Sequence, residues 1–185
     1  NHNPDSSAWS LTTRKGYLRL TTVKPVTGLP EAPNMLTQRP FVHYGGEKPT
    51  TGTVKMDFAH MKDGDVAGLA VFQDPYAFIA VKQLNGQKQL MMVNNGDVAG
   101  QVDIKKGSSV YLRATVNNAT KKASFQYSFN NKQYNSLGND MEMKFNLKLF
   151  TGNKFGLFNF ATLTKGGYVD FDWFRTGLVN SGKLF

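Results

Sequence analysis

Lys154-Phe155-Gly156-Leu157-Phe158-Asn159-Phe160-Ala161-Thr162, followed by Gly166-Gly167-Tyr168-Val169-Asp170-Phe171-Asp172-Trp173-Phe174, decides the fold. The first segment is apolar at both parities, the pattern of a strand buried on two sides. The second alternates, with Val169, Phe171 and Trp173 on one face and Asp170, Asp172 and Phe174 on the other. That parity assigns Trp173 to the core. Thr164-Lys165-Gly166-Gly167 supplies the turn that makes the two segments a strand pair, since glycine reaches positive φ at little steric cost. A strand as apolar as the first needs sheets packed over it.

The rest of the chain supplies them. Val54, Met56 and Phe58 alternate with polar neighbours, as do Val110, Leu112, Ala114 and Val116 against Tyr111, Arg113 and Thr115. Ala123, Phe125, Tyr127 and Phe129 repeat the pattern. Ala67–Phe72 reads as a buried strand, and Asn85-Gly86 is a strong hairpin signal before Leu90-Met91-Met92-Val93. Pro25, Gly28, Pro30 and Pro33 make residues 22–34 an irregular loop. Residues 140–149 are read as extended. Ten to twelve short strands without a convincing helix predict an all-β fold, a sandwich of two antiparallel sheets.

At 185 residues and 40% hydrophobic content, residues 1–185 form one domain with room for a core without staples. No cysteine is present, which excludes a disulfide framework and cysteine-held metals. No run of about 18 apolar residues is long enough to span a membrane as a helix. The net charge of +9 comes from 22 lysines and arginines spread thinly over the chain. Without a basic helix or a basic-aromatic signature, that spread reads as solvated surface rather than a nucleic-acid interface. The start at Asn1-His2-Asn3-Pro4 is read as the cut end of a longer protein.

Nine phrases in order carry a resemblance: Asn1-His2-Asn3-Pro4-Asp5 with Trp9-Ser10-Leu11-Thr12; Gly16-Tyr17-Leu18-Arg19-Leu20; Leu36-Thr37-Gln38-Arg39; Gly64-Asp65-Val66-Ala67-Gly68-Leu69; Tyr111-Leu112-Arg113; Phe125-Gln126-Tyr127-Ser128; Phe150-Thr151-Gly152; Phe155-Gly156-Leu157-Phe158; and Gly166-Gly167-Tyr168-Val169-Asp170-Phe171-Asp172. Together they resemble the C-terminal concanavalin A-like β-sandwich, a jelly roll, of glycoside hydrolase family 43 β-xylosidases and arabinofuranosidases. The resemblance implies a non-catalytic accessory module that binds xylan or arabinoxylan, with the propeller and its catalytic carboxylates elsewhere. It equally allows a structural domain that packs on that propeller and completes the active site through Phe150-Thr151-Gly152-Asn153-Lys154-Phe155. The implied partners are plant cell-wall polysaccharide and the catalytic domain of the parent hydrolase. A secreted or periplasmic location is favoured over a cytoplasmic one.

Hydrolysis of a glycosidic bond needs two carboxylates in different protonation states. Asp170 and Asp172 share a strand face about 7 Å apart by strand rise. They equally suit hydrogen bonds to arginines or a structural cation, so no catalytic residue is assigned. Calcium takes hard oxygen ligands. Related sandwiches hold one near the last strand, which names Asp172 first and Asp57 second. Sugar recognition pairs aromatic faces with planar polar groups. The candidates are Gln38, Arg39, Asp65, Tyr111, Arg113, Phe150 and Tyr168. Tyr111 and Arg113 qualify because they lie opposite the apolar face of their strand. Arg39 suits either a sugar or an ion pair with Asp57 or Asp172.

Overall fold

The computed structural model describes residues 5–38, 48–144 and 152–179. Fourteen strands occur there: β1 (Trp9–Ser10), β2 (Leu18–Thr21), β3 (Leu36–Gln38), β4 (Thr50–Asp57), β5 (Asp65–Phe72), β6 (Ala77–Leu84) and β7 (Gln87–Asn94), then β8 (Asp97–Asp103), β9 (Ser109–Asn117), β10 (Lys122–Ser128), β11 (Asn135–Ser136), β12 (Met141–Glu142), β13 (Lys154–Ala161) and β14 (Tyr168–Leu178). Two short 3₁₀ turns, Ser6–Ala8 and Leu29–Glu31, are the helical elements among the described residues. The strands form two antiparallel sheets. Sheet A runs β1-β2-β14-β4-β9-β10-β11, with β12 also on β10, and sheet B runs β3-β13-β5-β6-β7-β8.

The sheets pack face to face over one core. Val54 and Met56 of β4, Leu112 and Ala114 of β9 and Phe125 of β10 meet Leu69, Val71, Ile79, Leu90, Met92 and Phe155 of sheet B. The period-two patterns predicted this, because each strand of sheet A has one face in the core and one in solvent. Strand β13 is buried on both sides, as its composition demands. Phe155 and Leu157 point into the shared core, while Phe158 and Phe160 point the other way. There they meet Phe78, Val66 and Ala70, roofed by Leu29, Ala32 and Met35 from the proline-rich segment 22–35. That irregular segment is therefore a lid on the outer face of sheet B. Asn159 fastens the layers: its amide Nδ2 donates to the Leu20 carbonyl in sheet A at 2.9 Å.

Three sequence expectations need correction. The β13 and β14 segments are not paired with each other; they lie in opposite sheets, and the 162–167 link crosses between them. A sandwich needs such crossings at its ends, and a glycine-rich turn serves them as well as a hairpin. Strand β8 went unassigned because it is an edge strand with little burial and no clean alternation, although Asn95-Gly96 before it matches Asn85-Gly86. Asparagine and glycine both take positive φ in each turn, as a two-residue hairpin requires.

The third correction concerns Trp173. The pairing of β14 with β4 shifts register between Phe171 and Trp173, a β-bulge that inserts Asp172 as an extra residue. Phe171 opposes Met56 and faces the core, but Trp173 opposes Lys55 and faces out, and Phe174 opposes Val54 and packs against the core. One inserted residue flips every side chain after it.

Candidate functional site

The pairings lay the outward side chains of sheet A in rows. Asp170 of β14 lies beside Arg19 of β2 and Asp57 of β4; Trp173, Lys55 and Tyr111 make the next row; Arg175, Thr53, Arg113 and Gln126 make the third. Strand alternation thus gathers arginines, carboxylates and rings on one face, where inward residues alone serve the core.

At one end the charges close on themselves. Arg19 donates to both oxygens of Asp170, Nε to Oδ1 at 2.7 Å and Nη2 to Oδ2 at 2.8 Å. Arg14, from the β1–β2 loop, places Nη1 3.0 Å from Asp170 and 3.0 Å from Asp57. Burial pushes the Asp170 carboxyl up, but Arg19 and Arg14 outweigh it and hold the group below the usual carboxylate range. Lys55 donates to Asp172 at 2.9 Å, which raises the lysine pKa.

Guanidinium groups lie over the rings of this face. Arg19 sits 3.8 Å from the centroid of Tyr168, whose ring also stacks on His60 at 4.6 Å. Arg14 covers Tyr17 at 3.7 Å, Arg113 covers Tyr134 at 3.6 Å, and Arg175 lies 4.5 Å from the Trp173 ring. Tyr111 and Trp173 converge above Lys55 with centroids 6.0 Å apart. On the β2 side of Trp173 a hollow of about 290 Å³ is lined by Tyr17, Leu18, Asp172 and Trp173 and by Leu157 and Phe171 of the core.

Of the sequence candidates, Tyr111, Arg113, Tyr168, Asp57 and Asp172 share this face. Tyr168 has a partner on each ring face, so it is less open to a ligand than Tyr111. Asp65 does not join them. It is fully buried at the start of β5, where Oδ2 accepts from the Lys62 amide at 2.7 Å and burial pushes its carboxyl up to about 6. The crossing between sheets packs on this carboxylate, and a Cβ on Gly167 would overlap Asp65 Oδ2. Gln38 ends β3 opposite Phe155 in sheet B, far in strand order from the sheet A rows. Arg39 and Phe150 lie outside the described residues, as does Thr151 of the 150–155 loop.

The carboxylates proposed for calcium already hold cations of the chain. Arg14 bridges Asp57 and Asp170, and Lys55 holds Asp172. No group of three or more histidine, cysteine or acidic side chains is poised for a metal among the described residues. Sequence reasoning did not single out Arg14, Arg19, Arg175 or Tyr134. Arg19 was legible as the polar position between Leu18 and Leu20, whereas Arg175 and Trp173 depend on the bulge.

Comparison with known proteins identifies the family. Residues 1–176 match the model of the β-xylosidase C-terminal concanavalin A-like domain. A β-xylosidase of Formosa agariphila is 27% identical over 94% of this chain, which covers 32% of that protein. A bifunctional GH43-CE protein of Bacteroides eggerthii superposes with a TM-score of 0.90 at 40% identity, over 98% of this chain and 23% of that one. A GH43 glycoside hydrolase engineered to display both endo-xylanase and exo-arabinofuranosidase activity gives 0.87 at 28% identity, over 96% of this chain and 37% of that one. The chain thus spans about a third or less of the first two relatives' length. The nine ordered phrases, the two-sheet sandwich and these matches agree: the chain belongs to the C-terminal concanavalin A-like domain family of glycoside hydrolase family 43 β-xylosidases.

Proposed function

We propose that this domain is a non-catalytic accessory module of a family 43 hydrolase and holds xylan or arabinoxylan on the outer face of sheet A. The observation that carries the reading is the Tyr111–Trp173 ring pair set beside a row of Arg113, Thr53, Gln126 and Arg175. Rings offer apolar faces to the C–H groups of a sugar, and the adjacent row offers donors to its hydroxyls. Affinity electrophoresis in soluble arabinoxylan tests it. The chain should be retarded, and Trp173→Ala should relieve the retardation without unfolding the protein. Wild-type mobility equal to that in a gel without polysaccharide overturns the reading.

The second reading, packing on the propeller of the parent enzyme and completing its active site through the loop at 150–155, draws support from coverage. The matched stretch is only 32% of the β-xylosidase relative, so other parts accompany it there. Co-expression with the parent propeller and co-purification at stoichiometric yield would support it, and elution as separate species would count against it.

A further inference from the structure

The cations on the outer face of sheet A divide into two sets. Arg14, Arg19 and Lys55 are held by Asp57, Asp170 and Asp172. Arg113 and Arg175 have no carboxylate within 4.0 Å among the described residues, and both belong to the row beside the ring pair. Thr53 separates them in register, so their backbones stand two strand spacings apart, about 9–10 Å.

Arg113 is also held in place. Nε donates to Thr53 Oγ1 at 3.1 Å, and Cζ lies over the Tyr134 ring, 3.6 Å from its centroid. A ring beneath a guanidinium engages its face, and with Nε given to Thr53 the Nη1 and Nη2 groups are the donors that would receive carboxylate oxygens. Arg175 is exposed and rests on Trp173, the ring offered to the sugar. Two like charges in one row without a counter-charge leave a positive potential there, which an anion placed upon either would meet.

We propose that the Arg113–Arg175 row is a subsite for the carboxylates of uronic-acid side groups, so that the domain prefers acidic glucuronoxylan to neutral arabinoxylan. The proposal rests on the outer face of sheet A being the polysaccharide surface. In this subsite the Tyr111–Trp173 pair meets the xylan backbone, and the arginines receive the acidic branch.

Affinity electrophoresis in three polymers tests it: glucuronoxylan, the same polymer with its carboxyls reduced to primary alcohols, and neutral arabinoxylan. The wild-type chain should bind native glucuronoxylan about tenfold more tightly than the reduced polymer, as expected for losing one charge-assisted contact. Arg113→Gln/Arg175→Gln should erase that preference, so that native and reduced glucuronoxylan retard the variant equally. Lys105→Gln/Lys106→Gln removes the same charge from an exposed connection outside the face and should keep the preference. Thermal melts confirm that each variant is folded, and Arg175→Gln alone supplies the comparison if the double variant is not. Equal retardation of the wild type in native and reduced polymer, or equal loss in the lysine variant, overturns the subsite while leaving arabinoxylan binding intact. Failure of retardation in all three polymers overturns the polysaccharide reading with it.

Discussion

Arg19 and Asp170 face each other across β2 and β14 and join by two parallel hydrogen bonds of 2.7 and 2.8 Å. The carboxylate is 2% exposed, so its charge depends on the arginine for solvation. Arg19→Ala should cost about 3 kcal/mol, because it strands most of a buried negative charge. Asp170 titrates below the usual carboxylate range in the folded protein. Its contribution is therefore present above the unfolded value near pH ~4 and is lost as pH falls through the lower folded value. Urea melts at neutral and acid pH should show the penalty of Arg19→Ala shrinking in acid. A penalty independent of pH would refute the assignment.

Asp65 should act with the opposite sign. Burial pushes its carboxyl up to about 6 in the folded protein, so the fold holds this proton more tightly than the unfolded chain does. That contribution is fully present below about pH 4 and is lost as pH rises through about 6. Relative to Asp65→Asn, the wild type should gain about 1–3 kcal/mol of stability between pH 7 and pH 4. Melting temperatures of both proteins across that range would check it; parallel curves would show that Asp65 does not titrate there.

The bulge at Asp172 makes neighbouring aromatics behave differently. Trp173→Ala should leave stability within about 1 kcal/mol, since the ring lies on the outer face. Phe174→Ala should cost about 2 kcal/mol or more, because its ring meets Phe155 edge-on at 6.1 Å at the core. Denaturant melts of the two variants would settle the order, and the reverse order would mean that the strand does not shift.

Arg14 and Lys55 already neutralise the carboxylates nearest the last strand. Excess chelator should therefore leave the melting curve unchanged. A resident calcium at a hundredfold excess over its dissociation constant would instead be worth about 2.7 kcal/mol, which chelation would remove. A clear drop in melting temperature would restore Asp172 and Asp57 as ligands.

The isolated chain should release no nitrophenol from aryl xylosides or arabinosides. Among the described residues, Asp57, Asp170 and Asp172 of the outer face are each paired with a cation rather than set as an acid beside a base. Activity that tracks the purified protein and vanishes in Asp170→Asn would refute this.

Period two made sheet A legible because its strands meet core on one side and solvent on the other. Tyr111 and Arg113 were thus placed outward from Val110 and Leu112 alone. The double apolar parity of β13 announced a second cover, though not that segment 22–35 provides it. The bulge was not legible: alternation stays regular on both sides of Asp172, and only the register with Met56 and Val54 exposes the extra residue. Asp65 misled because Asp63-Gly64 reads as an exposed turn, while the crossing at Gly167 folds back over the carboxylate.

The same bulge gives the chain an optical reporter. Of its two tryptophans, Trp9 stands in the edge strand β1, while Trp173 is turned onto the outer face between Tyr111 and Arg175. A sugar ring settling there would displace water and the guanidinium from the indole, shifting its emission to the blue. Titrations could then follow occupancy by intrinsic fluorescence, with Trp9→Phe isolating the signal of one ring.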